Sequence, residues 1–258
     1  MSRIRLTITL EPGVLRLLDT IVDRKKIRNR SHAIEYILNT SLQSRASRAL
    51  ILSAGTNQSD WPKDAASQPV LWPVLKKMAG SGIKEVVIIH GQKETEVETM
   101  MDEVGDLGLK LIYLRQKNPG EGTARAIFEA RQFFSQQPFL LWYGDVQAEI
   151  DLDDLSACHL KEGKIATMAL TTVREPGGWG AVDLRGSNIV GLQEKPGKCY
   201  QGSCVVNAGV YILEPTIFDQ IKRGDKSLEK EVLPRIIAQK KLAGYMFEGY
   251  WHDWGKKN

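Results

Sequence analysis

The sequence predicts an α/β protein in two parts: a short amino-terminal piece of one strand and two helices, and a larger three-layer α/β/α domain. Three observations lead there. Residues 3–10 alternate strictly between polar and apolar side chains, and two helical stripes follow. After residue 48, short apolar runs alternate with helical patterns, as in a parallel sheet covered on both faces. The formal charge of +4 is unevenly spread. Residues 1–48 hold ten Lys/Arg against four acids, a balance of +6, so the rest of the chain is slightly acidic at −2.

In residues 1–45, Ile4, Leu6, Ile8 and Leu10 share one face of the expected strand, and Arg3, Arg5, Thr7 and Thr9 the other. Pro12-Gly13 ends the strand. Val14, Leu15, Leu17, Leu18, Ile21 and Val22 then recur at helical spacing, up to the basic run Arg24-Lys25-Lys26. Asn29 is a suitable N-cap for a second helix, with Ala33, Ile34, Ile37, Leu38 and Leu42 as its apolar stripe. A piece of this size buries too little surface to stand alone, and a lone strand has unpaired edges. Two copies, with their strands paired antiparallel, would solve both problems. The resulting ribbon would show Arg5, Thr7 and Thr9 from each chain, side chains suited to base edges in a major groove, and the amides near Arg30 and Ser31 could clamp a phosphate.

The strand Arg5-Leu6-Thr7-Ile8-Thr9-Leu10 and the helix start Asn29-Arg30-Ser31-His32-Ala33-Ile34 resemble the ribbon-helix-helix transcriptional regulators. The resemblance implies a homodimer through the ribbon, with DNA as partner and Arg3, Arg5, Thr7, Thr9, Arg30 and Ser31 as its contacts. A dimerisation arm with a solvated basic face is the other reading.

Residues 43–47 are polar and small, a joint between domains, and a second domain is expected over residues 48–258. A buried-type strand from Arg48 runs into Ser53-Ala54-Gly55, where backbone amides can approach a phosphate or base. Strands are also expected at residues 86–91 and 110–114, with helices at 70–78 and 95–104 between them. Gly120-Glu121-Gly122-Thr123 is a glycine turn opening a helix. The apolar run from Phe139 to Tyr143 is cut off by Gly144-Asp145, which puts a carboxylate at the C-terminal edge of the sheet, where open α/β folds place ligands.

Together with Gly178-Trp179-Gly180-Ala181-Val182, Leu192-Gln193-Glu194-Lys195-Pro196, Val206-Asn207-Ala208-Gly209 and Gly249-Tyr250-Trp251-His252-Asp253, these motifs resemble, in their order, the sugar-phosphate nucleotidyltransferase family. The resemblance runs from about Arg48 to the end. It implies a Rossmann-like three-layer nucleotidyltransferase fold, and as partners a nucleotide sugar, or a nucleoside triphosphate and a sugar 1-phosphate. It implies Mg²⁺ held by Asp145 and Asp253, and nucleotide binding at Ser53, Ala54, Gly55 and Gly122. Sugar-phosphate binding would fall to Gly180, Glu194, Lys195 and Asn207. The stretch from Ser227 to Pro234 matches a helix of that family, expected to pack only.

The departures shape the functional expectation. The family's glycine-rich loop carries an Arg for the triphosphate and, later, a Lys beside a Pro; here Gly55-Thr56-Asn57-Gln58-Ser59-Asp60-Trp61-Pro62 has no Arg, and Gln68 stands where the Lys belongs. Lys63 is the nearest substitute. Two missing cations should cost several kcal/mol of transition-state stabilisation, on the scale of charge-assisted contacts. The favoured expectation is therefore a DNA-binding transcriptional regulator whose second domain binds a nucleotide sugar and is catalytically weakened. The alternative is an active Mg²⁺-dependent sugar-1-phosphate nucleotidyltransferase with a dimerising or autoregulatory arm. With 42% hydrophobic residues, no signal-peptide pattern and no apolar run near the ~18 residues of a membrane span, the chain reads as globular and cytoplasmic, without a membrane partner. Cys158, Cys199 and Cys204 are expected as buried free thiols.

Overall fold

The computed structural model describes residues 7–25, 27–43, 46–52, 70–90, 106–116 and 120–255. They belong to two units, Met1–Ser44 and Arg45–Asn258. No described helix is long and apolar enough to cross a membrane.

The small unit holds helices α1 (Pro12–Ile21) and α2 (Arg30–Gln43). Proline sits in the first turn of α1, where its missing N–H is no loss. Asn29 caps α2 as expected, its Oδ1 accepting from the His32 amide at 2.9 Å. Between the helices, Asp23 Oδ1 accepts from the amides of Lys25 and Ile27 at 2.8 and 2.9 Å, an Asx-type turn. Arg30 and Asp19 join the two helices through a paired contact, Nε to Oδ1 at 2.7 Å and Nη2 to Oδ2 at 2.8 Å. The Arg30 guanidinium holds the Asp19 carboxyl below its ordinary range. Leu18 and Ala33 are buried.

Of the expected strand, residues 7–10 belong to no ladder and are exposed, while residues 3–6, with Arg3 and Arg5, lie outside the described residues. A strand needs a neighbour to satisfy its amides, and the small unit offers none among the described residues.

The large unit is built on a nine-stranded sheet. Its strands are β1 (Arg48–Leu52), β2 (Glu85–His90), β3 (Lys110–Arg115), β4 (Phe139–Tyr143), β6 (Ala166–Thr172), β7 (Gly180–Arg185), β8 (Asn188–Glu194), β9 (Val205–Leu213) and β10 (Leu242–Met246). The order is β3-β2-β1-β4-β9-β6-β10-β8-β7, with a further pairing of β9 to β7. Strands β3, β2, β1 and β4 are mutually parallel, and β10 is parallel to β6. The expected all-parallel sheet is corrected at β9, which runs antiparallel to both β4 and β6. The hairpin β7–β8 lies in sequence between β6 and β9, so the chain returns from it in the reverse direction. A two-stranded ribbon, β5 (Val146–Ala148) with β11 (Trp251–Asp253), stands apart from the main sheet.

Among the described residues the unit also holds helices α3 (Leu71–Gly80), α4 (Thr123–Glu129), α5 (Leu152–Glu162) and α6 (Leu233–Ala238), and the helix expected at 95–104 lies outside the described residues. Two apolar clusters divide side chains that alternate along the strands, as a sheet covered on both faces requires. Leu50, Leu141 and Tyr211 belong to one, with Ile127 of α4 and Ile236 of α6. Ile51, Trp142 and Val210 belong to the other, with Leu75 of α3 and Leu155 of α5. The three cysteines are free as expected, but Cys199 and Cys204 are exposed rather than buried, in the loop between β8 and β9.

Candidate active site

The C-terminal ends of the central strands open into a cavity of about 470 Å³, a size suited to a small ligand. Gly122, Asp145, Gly180, Glu194, Lys195, Asn207 and Asp253 all line it, so residues spread over half the sequence meet at one place. Of the expected site residues of this unit, Ser53, Ala54 and Gly55 lie outside the described residues, as does the departing loop with Lys63 and Gln68. Leu52, just before them, lines the cavity.

Asp145 arrives on the turn between β4 and β5, where the Gly144 amide donates to Leu52 carbonyl at 2.7 Å. Asp253 is the last residue of β11, and the β5–β11 register sets it opposite Val146, one residue from Asp145. The Trp254 amide ties the two segments by donating to Asp145 carbonyl at 2.8 Å. Both carboxylates converge on Gly255: a Cβ there would collide with Asp145 Oδ2 and lie 3.2 Å from Asp253 Oδ1. Among the described residues no cluster of three or more His, Cys, Asp or Glu side chains could hold a metal. Two carboxylates are nonetheless a suitable donor set for Mg²⁺, which takes one or two from protein and the remainder from water and substrate phosphates. Trp179 Nε1 donates to Asp253 Oδ2 at 3.2 Å, and its ring meets that of Trp251 edge-on at 5.8 Å.

More of the wall comes from three strand segments. Gly180 on β7 pairs with Glu194 on β8, and Ala181 pairs with Val206 on β9, which brings Asn207 alongside. Space at 180 is limited: a Cβ would lie 2.9 Å from Glu194 Oε2, whose side chain would have to shift, and 3.4 Å from Asn207 Cβ. Lys195 follows with φ of 49°, its Nζ 3.9 Å from Glu194 Oε1 and its side chain mostly exposed.

Gly122 opens α4 with φ of 86°, and a Cβ there would collide with Lys226 carbonyl. That carbonyl accepts from the Ala124 amide at 3.0 Å. The glycine is thus required by close backbone approach as well as by its conformation. The approaching segment is the one expected only to pack, and here the expectation is corrected: Lys226, Ser227, Glu229 and Lys230 line the cavity. Lys195, Lys226 and Lys230 bring three cations to its wall. Glu229 is buried, and its carboxylate accepts from Tyr143, from Ser227 Oγ at 3.0 Å and from Thr123 Oγ1 at 3.4 Å. Burial, reinforced by the Glu229 charge, pushes the hydroxyls of Tyr143 and Tyr211 well above their ordinary pKa, so both stay protonated. Sequence reading missed Thr123, Tyr143 and Glu229; the polar hydroxyl closing an apolar strand at Tyr143 was the available signal.

Known proteins resemble this chain in sequence and in fold. A family model, Nucleotidyl transferase, covers residues 62–258. The chain belongs to that family. It is 32% identical over 199 residues to a probable mannose-1-phosphate guanylyltransferase 3 of Oryza sativa subsp. japonica, covering 75% of this chain and 54% of that protein. It is 30% identical over 196 residues to the mannose-1-phosphate guanylyltransferase catalytic subunit beta of Drosophila melanogaster, covering 74% and 52%. The chain therefore spans about half the length of both relatives. A solved UDP-glucose pyrophosphorylase complexed with UDP-glucose superposes with a TM-score of 0.66 over 82% of this chain and 94% of that one, at 18% identity, a likeness of fold.

These findings overturn the DNA-binding regulator expected from the sequence. The matches are to transferases, and none supports a ribbon-helix-helix or DNA-binding role for the small unit. Within this chain Thr7 and Thr9 join no ladder, and the Arg30 guanidinium pairs with Asp19. The basic charge that suggested a polyanion partner does not by itself specify one.

Proposed function

We propose that the chain is a Mg²⁺-dependent sugar-1-phosphate nucleotidyltransferase, joining a nucleoside triphosphate to a sugar 1-phosphate with release of pyrophosphate. The convergence of Asp145 and Asp253 in a cavity that Glu194, Lys195 and Asn207 also line carries this reading. A phosphate oxygen of the sugar 1-phosphate attacks the α-phosphorus, and the bond from that phosphorus to the bridging β-phosphate oxygen breaks. Little covalent work falls to the protein, whose task is positioning and charge stabilisation. Glu194 accepts hydrogen bonds from sugar hydroxyls, Asn207 donates and accepts them, and Lys195 meets the sugar phosphate. Mg²⁺ held by Asp145 and Asp253 would supply charge neutralisation at the triphosphate. Lys226 and Lys230 add positive charge on the Gly122 side.

The small unit supports a dimerising arm. Ile8, Leu10, Val14, Leu17, Tyr36 and Leu38 are all large, apolar and exposed, an extent unusual for so short a segment unless a second copy covers it.

The test is magnesium-dependent pyrophosphate release from a panel of nucleoside triphosphates and sugar 1-phosphates. It begins with GTP and mannose 1-phosphate because two relatives carry that name. Release that depends on magnesium and is lost in Asp145→Asn is the expected result. No release from any pair would sink the reading.

A further inference from the structure

Trp179 connects two polar groups of the cavity wall. Its backbone is fastened to the first: Trp179 carbonyl accepts from the Lys195 amide at 2.9 Å, and the Trp179 amide donates to Pro176 carbonyl at 3.0 Å. Two residues earlier, Gly177 packs so tightly on the turn after Lys195 that a Cβ there would collide with Gly197 carbonyl. The Gly197 amide donates to Gly177 carbonyl at 2.9 Å. The Trp179 side chain reaches the second group, Nε1 donating to Asp253 Oδ2 at 3.2 Å across 74 residues of sequence. The indole is itself held. It meets Trp251 edge-on at 5.8 Å, and Trp251 is pinned by its own Nε1, which donates to Ala208 carbonyl at 3.0 Å.

Asp253 has a further donor, the Gly255 amide, which gives to Oδ1 at 3.0 Å. That bond lies within the turn and moves with it, so it orients the carboxylate on its own segment without fixing where the segment stands. The bond from Trp179 comes from a distant segment. It holds the carboxylate itself against the strands that carry Glu194 and Lys195, which a local bond cannot do. An indole N–H only donates and a carboxylate only accepts, so the contact has one direction. Each carboxylate oxygen has a second lone-pair site, so these two bonds do not exhaust Asp253 as a metal donor.

We propose that Trp179 is a positioning residue that fixes the Asp253 carboxylate for magnesium relative to Glu194 and Lys195. The metal role of Asp253 rests on the function proposed above; the contact itself does not. Hydrogen bonds of this kind orient metal-holding side chains, and losing one costs about 10–100-fold in metal affinity. A single 3.2 Å contact between partly exposed groups belongs at the lower end of that range.

Trp179→Phe keeps a ring against Trp251 and removes the donor. In unliganded ¹⁵N-labelled protein, the Trp179 indole signal is identified by its loss in that variant. Asp253→Ala should move this signal and leave that of Trp72, on α3, in place. Mn²⁺, followed by the paramagnetic resonance of the free ion, should bind about tenfold more weakly to Trp179→Phe than to the wild type. In turnover, the magnesium concentration for half-maximal pyrophosphate release should rise by about the same factor, with the KM for mannose 1-phosphate at saturating magnesium held within about twofold. An indole signal indifferent to Asp253→Ala, or equal Mn²⁺ affinity in Trp179→Phe, would overturn the proposal. Equal losses for metal and sugar phosphate would do the same, since a merely structural residue gives that result. If Trp179→Phe does not fold, the wild type and Asp253→Ala decide: Mg²⁺ should move the Trp179 signal in the first and not in the second, and a wild-type signal that ignores Mg²⁺ sinks the positioning role. Should the wild type neither bind Mn²⁺ nor release pyrophosphate, the proposed function fails and takes this role with it. Equal Mn²⁺ affinity with release intact sinks the role of Trp179 alone.

Discussion

The two units of this chain put the same kind of sequence pattern to opposite ends. In the large unit, Leu50, Ile51, Leu141, Trp142 and Tyr211 are fully buried. In the small unit, Leu17 is 66% exposed, Tyr36 52% and Ile8 45%. Both stretches are periodic and apolar. The difference is in what each can reach: the large sheet has layers to cover both faces, whereas among the described residues of the small unit the buried apolar side chains are Leu18 and Ala33. An apolar stripe states that a face seeks cover, and only the surrounding structure states whether one chain supplies it.

The comparison can be broken most severely at the polar heart of the large unit. Asp145→Asn removes a charge from the cavity without disturbing the core, and should lower pyrophosphate release by at least about 10³-fold, as loss of a metal-holding or charge-stabilising group does. Circular dichroism and melting should remain those of the wild type; a collapse of fold would show the turn to be structural. Next in size is Leu141→Ala. With no exposure to begin with, it should destabilise the large unit by about 2–5 kcal/mol in a denaturant titration. A near-neutral result would mean the two apolar clusters are looser than their burial shows.

Leu17→Lys sharpens the contrast from the other side. It should leave the melting of the large unit unchanged and convert a dimer to a monomer in light scattering, because the side chain is exposed within one chain. A wild-type protein that is already monomeric would remove the dimerising arm.

The smallest effect is pH-dependent and belongs to the segment that closes the cavity. At Asp225, burial works to raise the pKa, but hydrogen bonds from Arg235 and the Lys222 amide, with the Arg235 charge, outweigh it and hold the carboxyl below its ordinary range. At Glu231, bonds from the Ser227 and Lys226 amides do the same. A lowered carboxylate pKa stabilises the fold fully above the unfolded value, about 4, and loses that contribution as pH falls through the folded value. Stability should therefore decline below about pH 4, and Asp225→Asn should flatten that decline while lowering stability at neutral pH. An unchanged acid limb in the variant would show that other groups dominate.

Much of the large unit was legible in residue order. The strands at 86–90 and 110–114 stood out as short apolar runs, and Gly122-Thr123 as a helix start, because such signals are local. The antiparallel β9 was not legible, since strand direction depends on how the chain returns from the β7–β8 hairpin. Nor was Glu229 legible. In sequence it is one acid in the charged stretch Glu229-Lys230-Glu231, and it is buried where its segment meets Thr123 and Tyr143. In the small unit, alternation at residues 3–10 reads as a strand, but β structure is a property of pairs, which one chain's residue order does not supply.

What the sequence by itself determined is the inventory and its local geometry: which segments are apolar, where glycine permits a turn, that Asn29 caps a helix, and that a carboxylate follows a strand end at Asp145. Those features depend on neighbours a few residues away. Only the tertiary structure decided which of them meet, because the convergence of Asp145 with Asp253 through β5–β11, of Glu194 with Asn207 across β8, β7 and β9, and of Glu229 with Tyr143 is set by strand register and packing between segments far apart in the chain.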